Sequence, residues 1–270
     1  MALMCWLRSI EWWGECVAGE DICRRYLKDA FDITPNEGEF IVALAGNPNV
    51  GKSTIFNALT GMDQHTGNWA GKTVVGAVGR FEWLGVRFIL VDLPGTYSLG
   101  TRRAEEAAAR DFICFAKPDA VIVVVDASRL ERNLFLVLQV LEITKRVVVC
   151  VNLMDEAKEN GVMIDLLRLE DILRVSVVGT TAKRQEGIYE LRNVLLRTCQ
   201  TDDIRTPRRS RYSAVIEEAV NDLLPYIKRA VGETVDARWL TMRRLEGDTE
   251  CLRRVREMLS AQKEGGRCEL

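Results

Sequence analysis

A single histidine, His65, is the whole imidazole supply of this 270-residue chain, which excludes a histidine-built metal centre. Its eight cysteines contain no Cys-x-x-Cys pair. That spacing offers neither a zinc template nor a disulfide framework, and reduced thiols in a cytosolic setting are the expectation. Cys5, Cys16 and Cys23 gather near the start, yet their spacings match no metal site. Long apolar runs are missing too: none approaches the ~20 residues that cross a bilayer. The stretch 1–13, carrying Trp6, Trp12 and Trp13, is interrupted by Arg8 and Glu11. It lacks the apolar centre of a signal peptide and reads as a segment that packs on the protein in preference to lying on a membrane surface. Charge of one sign is also absent. A net charge of −2 argues against a nucleic-acid partner, and the basic stretch 205–211 reads as a solvated linker. What the chain does have is 47% apolar residues, enough to bury one large or two modest domains.

The most specific pattern is Gly46-Asn47-Pro48-Asn49-Val50-Gly51-Lys52-Ser53-Thr54, a complete Walker A loop. Glycines at those spacings let backbone amides turn inward around phosphates. Lys52 then reaches the β/γ-phosphate oxygens and the Ser53 hydroxyl ligates magnesium. The apolar run 40–45 before the loop predicts a strand, and 55–59 after it a helix whose N-terminal dipole favours the anion. The chain is therefore expected to bind a nucleoside triphosphate.

A second apolar run, 86–91, ends in Asp92-Leu93-Pro94-Gly95. At a strand end the Asp92 carboxylate would hold magnesium through water, and the Gly95 amide would sense a γ-phosphate. A third run, 147–151, leads into Asn152-Leu153-Met154-Asp155, where a doubly wound sheet presents its ligand loops. An ionised carboxylate only accepts hydrogen bonds, so Asp155 suits the N1–H and N2–H₂ donors of guanine, a pair that adenine lacks. Asn152 would brace the loop and contact the base. Leu153 stands where such a motif usually carries Lys. Thr180-Thr181-Ala182-Lys183, after a predicted strand at 175–178, offers a companion loop whose Ala182 amide would meet guanine O6. The polar stretch 61–75 reads as a switch that orders around magnesium and γ-phosphate. Thr60, Thr66 and Thr73 compete there, on chemistry alone, for the magnesium-ligating hydroxyl.

Strands at 40–45, 77–84, 86–91, 120–125, 146–151 and 175–178 alternate with helices at 52–60, 102–115, 130–143, 162–173 and 186–199. This predicts an α/β fold of the P-loop GTPase (Ras-like) type, a mostly parallel sheet with helices on both faces. From 212 to 262 the pattern turns helical, with breaks at Gly232 and Gly247 and with Trp239 expected between helices. The predicted organisation is an extension of unknown role at 1–38, a GTP-binding domain at 39–204 and a small all-α domain with a tail at 205–270.

Five blocks resemble the cytoplasmic G domain of ferrous iron transport protein B, the FeoB family: GNPNVGKSTIFNALTG (46–61), QHTGNWAGKTV (64–74), VDLPGTYSL (91–99), NLMDEA (152–157) and ARWLTMRRLEGD (237–248). The resemblance covers about 40–260. It implies slow, potassium-stimulated GTP hydrolysis with magnesium, and a switch that regulates iron(II) uptake. It selects Thr73 as the magnesium-ligating hydroxyl and Asn49 as a potassium ligand. The groups expected to act on the reacting phosphate are then Lys52, Asn49, Thr73 and Gly95. It also implies a helical unit that couples nucleotide state to a membrane-embedded transporter portion and slows nucleotide release. That portion is not in this sequence, which reads as a detached domain, an expressed fragment or a truncated product that cannot conduct iron itself. The expected place is the cytoplasm, at the inner face of the membrane where attached; no nucleic-acid partner is expected, and a homo-oligomer is left open. Ala70 and the run Lys72-Thr73-Val74-Val75 depart from the family's usual Pro and Val-Thr-Val-Glu. Thr96 stands where Ras-like proteins place a water-orienting Gln and is too short to replace it. The alternatives are a module that senses GTP or GDP without hydrolysis, and an Era-like ribosome-assembly GTPase.

Overall fold

The structure is a computed structural model that describes residues 20–61, 65–68, 75–100, 103–201, 205–232 and 234–265. Two compact units emerge, one comprising Tyr26–Arg209 and the other built from Met1–Arg25 with Ser210–Leu270.

The larger unit is organised by one sheet whose strands are β1 (Glu39–Gly46), β2 (His65–Asn68), β3 (Val75–Trp83), β4 (Val86–Asp92), β5 (Ala120–Asp126), β6 (Val147–Asn152) and β7 (Ser176–Gly179). Their order is β2-β3-β4-β1-β5-β6-β7. The strands β4, β1, β5, β6 and β7 run parallel, while β3 joins β4 antiparallel and β2 joins β3 antiparallel. Near-continuous apolar runs suit strands buried on both faces. Alternate residues then serve opposite faces. Ala43, Ala45, Val123, Val125, Val149 and Val151 fall in one core cluster. Their neighbours Val42, Leu44, Ile122, Val124, Val148 and Cys150 fall in the other.

Helices close each face. The first is covered by the end of α1 (Glu20–Phe31), by α3 (Ala104–Asp111, extended by a π-helical turn, Phe112–Ala116), by α4 (Leu130–Ile143) and by α6 (Leu166–Leu173). The second is covered by α2 (Lys52–Thr60) and α7 (Ile188–Gln200) through Ile55, Phe56, Leu59, Leu191 and Leu195. Phe40, Phe88 and Phe81 sit in register across β1, β4 and β3. Phe81 stacks on Phe88 with centroids 4.9 Å apart, an inter-strand aromatic pair of the kind that stabilises a sheet. Leu84 and Gly85, both at positive φ (49° and 80°), form the two-residue hairpin turn between β3 and β4, as that turn's twist demands.

Four expectations are corrected. The helix expected at 162–173 begins at Leu166, because the Asp165 carboxylate accepts the Arg168 amide and caps it there. A short helix unforeseen in the sequence, α5 (Met154–Glu159), precedes it. The polar switch stretch contains strand β2, paired His65↔Val78 to Asn68↔Val75. Residues 26–38, counted in the extension of unknown role, supply Leu27, Phe31 and Ile33 to the core.

The smaller unit contains α8 (Ala214–Val231), α9 (Ala237–Leu245) and α10 (Thr249–Gly265), and no strand among its described residues. Asp236 and Asp248 accept the amides of Trp239 and Cys251 and so start α9 and α10. Trp239 is buried, as its helical setting predicts, with Val220, Ile227, Leu240 and Val255 also in the interior. Glu217 on α8 takes both guanidinium arms of Arg238 on α9, at 2.9 and 3.0 Å.

Candidate nucleotide-binding site

The C-terminal ends of β1, β4, β6 and β7 lie on one edge of the parallel sheet, where open α/β sheets bind ligands. The four loops that leave them are tied into one surface. Gly46 ends β1 and Lys52 opens α2, leaving 47–51 as the turn between them. Val50 is buried in the core, whereas Asn49 is exposed at φ 66°. Gly51 adopts φ 81°, and a Cβ there would overlap the Asn152 amide nitrogen, so only glycine fits. Asn47 is buried with its side-chain oxygen unpartnered.

Asp92 is the last residue of β4, and Lys52 Nζ donates to its carboxylate. Burial pushes the Asp92 carboxyl above the usual range, with Lys52 acting against that shift. Beyond Asp92 the chain follows β1. Leu93 N–H donates to Leu44 O at 2.9 Å and Thr96 N–H to Gly46 O at 3.1 Å. Pro94 is buried, while Gly95 is exposed and lies against Pro48. Thr96 is itself buried, its hydroxyl donating to Ser98 O at 2.7 Å. The Ser53 hydroxyl group lies on an exposed residue at the start of α2, with Thr54 half-buried beside it. An exposed hydroxyl and a carboxylate whose ionised form is penalised by burial make a donor set that suits a small hard cation such as magnesium.

Asn152 joins the remaining loops. Its amide donates to Val50 O at 3.0 Å, and its oxygen accepts from Thr180 Oγ1 at 3.0 Å and Ala182 N–H at 3.1 Å. The expected bracing is present, but at 1% exposure the side chain has no surface left for a base. The Ala182 amide is corrected likewise: it turns inward to Asn152 instead of facing a ligand. Leu153, at φ 63°, starts α5 and places Met154 and Asp155 in its first turn. Asp155 is therefore not the capping residue. Its carboxylate is partly exposed, with Arg184 Nε 3.7 Å away. Thr180 and Thr181 are buried, Thr180 N–H donating to Val151 O at 2.7 Å and Thr181 bridging to Glu186. The structure thus brings together 46–54, 92–95, 152–155 and 180–182. Thr73, Trp6, Trp12, Trp13, Cys5 and Cys16 lie outside the described residues. Arg184 was not anticipated; its position one residue past Lys183 in a known base loop is the only signal that pointed to it.

A mostly parallel sheet between two helical layers, carrying a Walker A loop and its partner loops on one edge, is a P-loop GTPase fold. The comparisons make it specific. Residues 40–195 match the family model described as ferrous iron transport protein B, and 212–266 match the FeoB cytosolic helical domain. The chain belongs to the FeoB family. It is 36% identical over 230 residues to the Fe(2+) transport protein A/Fe(2+) transporter FeoB fusion protein of Porphyromonas gingivalis, covering 84% of this chain and 27% of that protein. The chain spans about a quarter of the length of the curated relatives it matches. The cytosolic domain of T. maritima FeoB in apo form is 35% identical, with TM-score 0.75 over 82% of this chain and 86% of that one. Its GDP form I is 34% identical, with TM-score 0.75 over 83% and 87%.

Proposed function

We propose that this chain is the guanine-nucleotide switch of a ferrous iron transporter, binding GTP or GDP with magnesium and hydrolysing GTP slowly under potassium stimulation. The observation that carries the reading is the Asn152 clamp, which fixes the phosphate loop and the base loops relative to one another. A site so braced holds a nucleotide at both its base and its phosphate ends. The GDP form of the T. maritima relative supports the ligand.

In this reading the backbone amides of 49–54 cradle the phosphates, Pro48 having none to give, and the dipole of α2 adds to the attraction. Lys52 leaves Asp92 for the β/γ-phosphate oxygens. Ser53 and Asp92 are the residues that would hold magnesium, which when bound supplies positive charge across the outer phosphates. Asp155 reads the two donors of guanine, and Leu153, Met154, Thr180 and Thr181 shape the base pocket. Gly95 senses the γ-phosphate, and Asn49, exposed beside the phosphates, is the potassium ligand. The membrane-embedded portion is the partner whose iron passage the switch controls, placing the chain at the cytoplasmic face.

One observation favours a second reading. Thr96 is buried and its hydroxyl is spent on Ser98, so it cannot orient an attacking water, and the domain would then sense nucleotide without turning it over. The match of 212–266 to the FeoB helical domain sets the Era-like alternative aside. Phosphate release from GTP by the purified chain, with magnesium in potassium and in sodium, separates the two. Slow turnover raised by potassium is expected; binding without turnover in either salt would leave the sensing module.

A further inference from the structure

Gly95 is held by β1 on both sides, through Leu93 before it and Thr96 after it. Beyond Thr96 the chain leaves β1 and is held differently. Residues 96–100 have no regular structure, so the loop's position depends on particular contacts. Leu99 is buried in the core, and its amide donates to Gln139 Oε1 at 2.7 Å. Two residues earlier, the Tyr97 ring lies under the Arg132 guanidinium, 4.4 Å from centroid to carbon. Gln139 and Arg132 are seven residues apart, two turns along the same face of α4. That helix is itself fixed, with Leu136, Val137, Val140 and Leu141 all fully buried in the core.

We propose that Gln139 and Arg132 are positioning residues for Gly95, setting how strongly the site distinguishes a nucleotide with a γ-phosphate from one without. The inference rests on the reading of GTP at this site. A buried amide in an irregular loop must find an acceptor. Here that acceptor belongs to a rigid helix, so the bond fixes the segment that leaves Thr96 and reinforces, from beyond it, the hold of β1 on Gly95. Arg132 adds an exposed cation–π contact of modest strength. GDP, which ends before the γ-phosphate, makes no demand on Gly95 and should be indifferent to both side chains.

The test measures affinities of the whole chain for GDP and for a non-hydrolysable GTP analogue with magnesium. Gln139→Leu keeps the size and removes the acceptor, Gln139→Glu keeps the acceptor, and Arg132→Ala removes the cation. Gln139→Leu should weaken the analogue about five- to tenfold, the worth of one hydrogen bond, while GDP moves less than about twofold. Gln139→Glu should restore discrimination. Arg132→Ala should cost the analogue about two- to fivefold. Equal losses for both nucleotides, as from a merely structural residue, would overturn the proposal, as would unchanged discrimination in Gln139→Leu and Arg132→Ala. If Gln139→Leu fails to fold, Arg132→Ala carries the same comparison. A wild-type chain that binds neither nucleotide would overturn the functional reading itself, whereas one that binds both with variant-independent discrimination would overturn this inference alone.

Discussion

Replacing Asn152 by alanine removes three buried hydrogen bonds at once, to Val50 O, Thr180 Oγ1 and Ala182 N–H. At about 1 kcal/mol net for each, the loss comes to about 3 kcal/mol, and the stranded Ala182 amide pushes it upward. In a unit the size of Tyr26–Arg209 each kcal/mol moves Tm by about 2–4 °C, so a fall of roughly 6–12 °C is expected. Thr180→Val removes only one of the three bonds and should cost about a third as much, near 1 kcal/mol. Calorimetry resolves both, with added GDP marking the transition of the nucleotide-binding unit. The stability loss alone would fit any buried amide. The specific consequence is that GDP should stabilise Asn152→Ala far less than the parent, because the phosphate loop and the base loop are no longer held to one another. A Tm change no larger than that of Thr180→Val, or an undiminished GDP shift, would refute the clamp.

Asp155→Asn should weaken GTP binding and favour xanthosine nucleotides, whose purine presents an acceptor where guanine presents a donor; an unchanged guanine preference in competition binding would sink the base assignment. Asn49→Ala should abolish potassium stimulation of hydrolysis while leaving GDP affinity intact, and persistent stimulation would remove Asn49 as the ligand. Burial raises the folded-state carboxyl of Asp92 above its unfolded value. The folded protein therefore holds that proton more tightly, and the ionised group lowers stability progressively as pH rises above the unfolded value of about 3.8. Asp92→Asn should accordingly gain in Tm on the parent between pH 4 and pH 7 without nucleotide, yet lose magnesium-dependent GTP affinity. A Tm difference that does not grow with pH would contradict the sign.

Much of this was legible in the residues, for identifiable reasons. α2 spans Lys52–Thr60 and α4 spans Leu130–Ile143, as predicted, because each follows a buried apolar strand and carries an unbroken apolar face. The loops announced themselves because phosphate and guanine recognition demand fixed residue types at fixed spacing. The misses have a common cause, which is that the deciding partner is remote in sequence. β2 is polar and forms only because β3 offers an open edge. Asn152 and Ala182 were each assigned to a ligand, yet they are thirty residues apart and answer one another. Arg184 gains its place only because a tight turn returns it to Asp155.

The aromatic end of α1 bears on how this protein can be dissected. Phe31 meets Phe112 edge-on at 4.9 Å, and Tyr26 meets Phe115 at 5.6 Å. Arg87 and Arg80 also reach back to the carbonyls of Glu37 and Thr34. A fragment begun at Glu39, where the first strand starts, would shed Leu27, Phe31 and Ile33 and leave the rings of Phe112 and Phe115 facing water. Such a piece would keep every nucleotide loop and still aggregate, since an uncovered aromatic cluster is a ready site for self-association. The workable cut for a minimal G domain therefore lies upstream of Tyr26, inside sequence that carries no nucleotide motif at all.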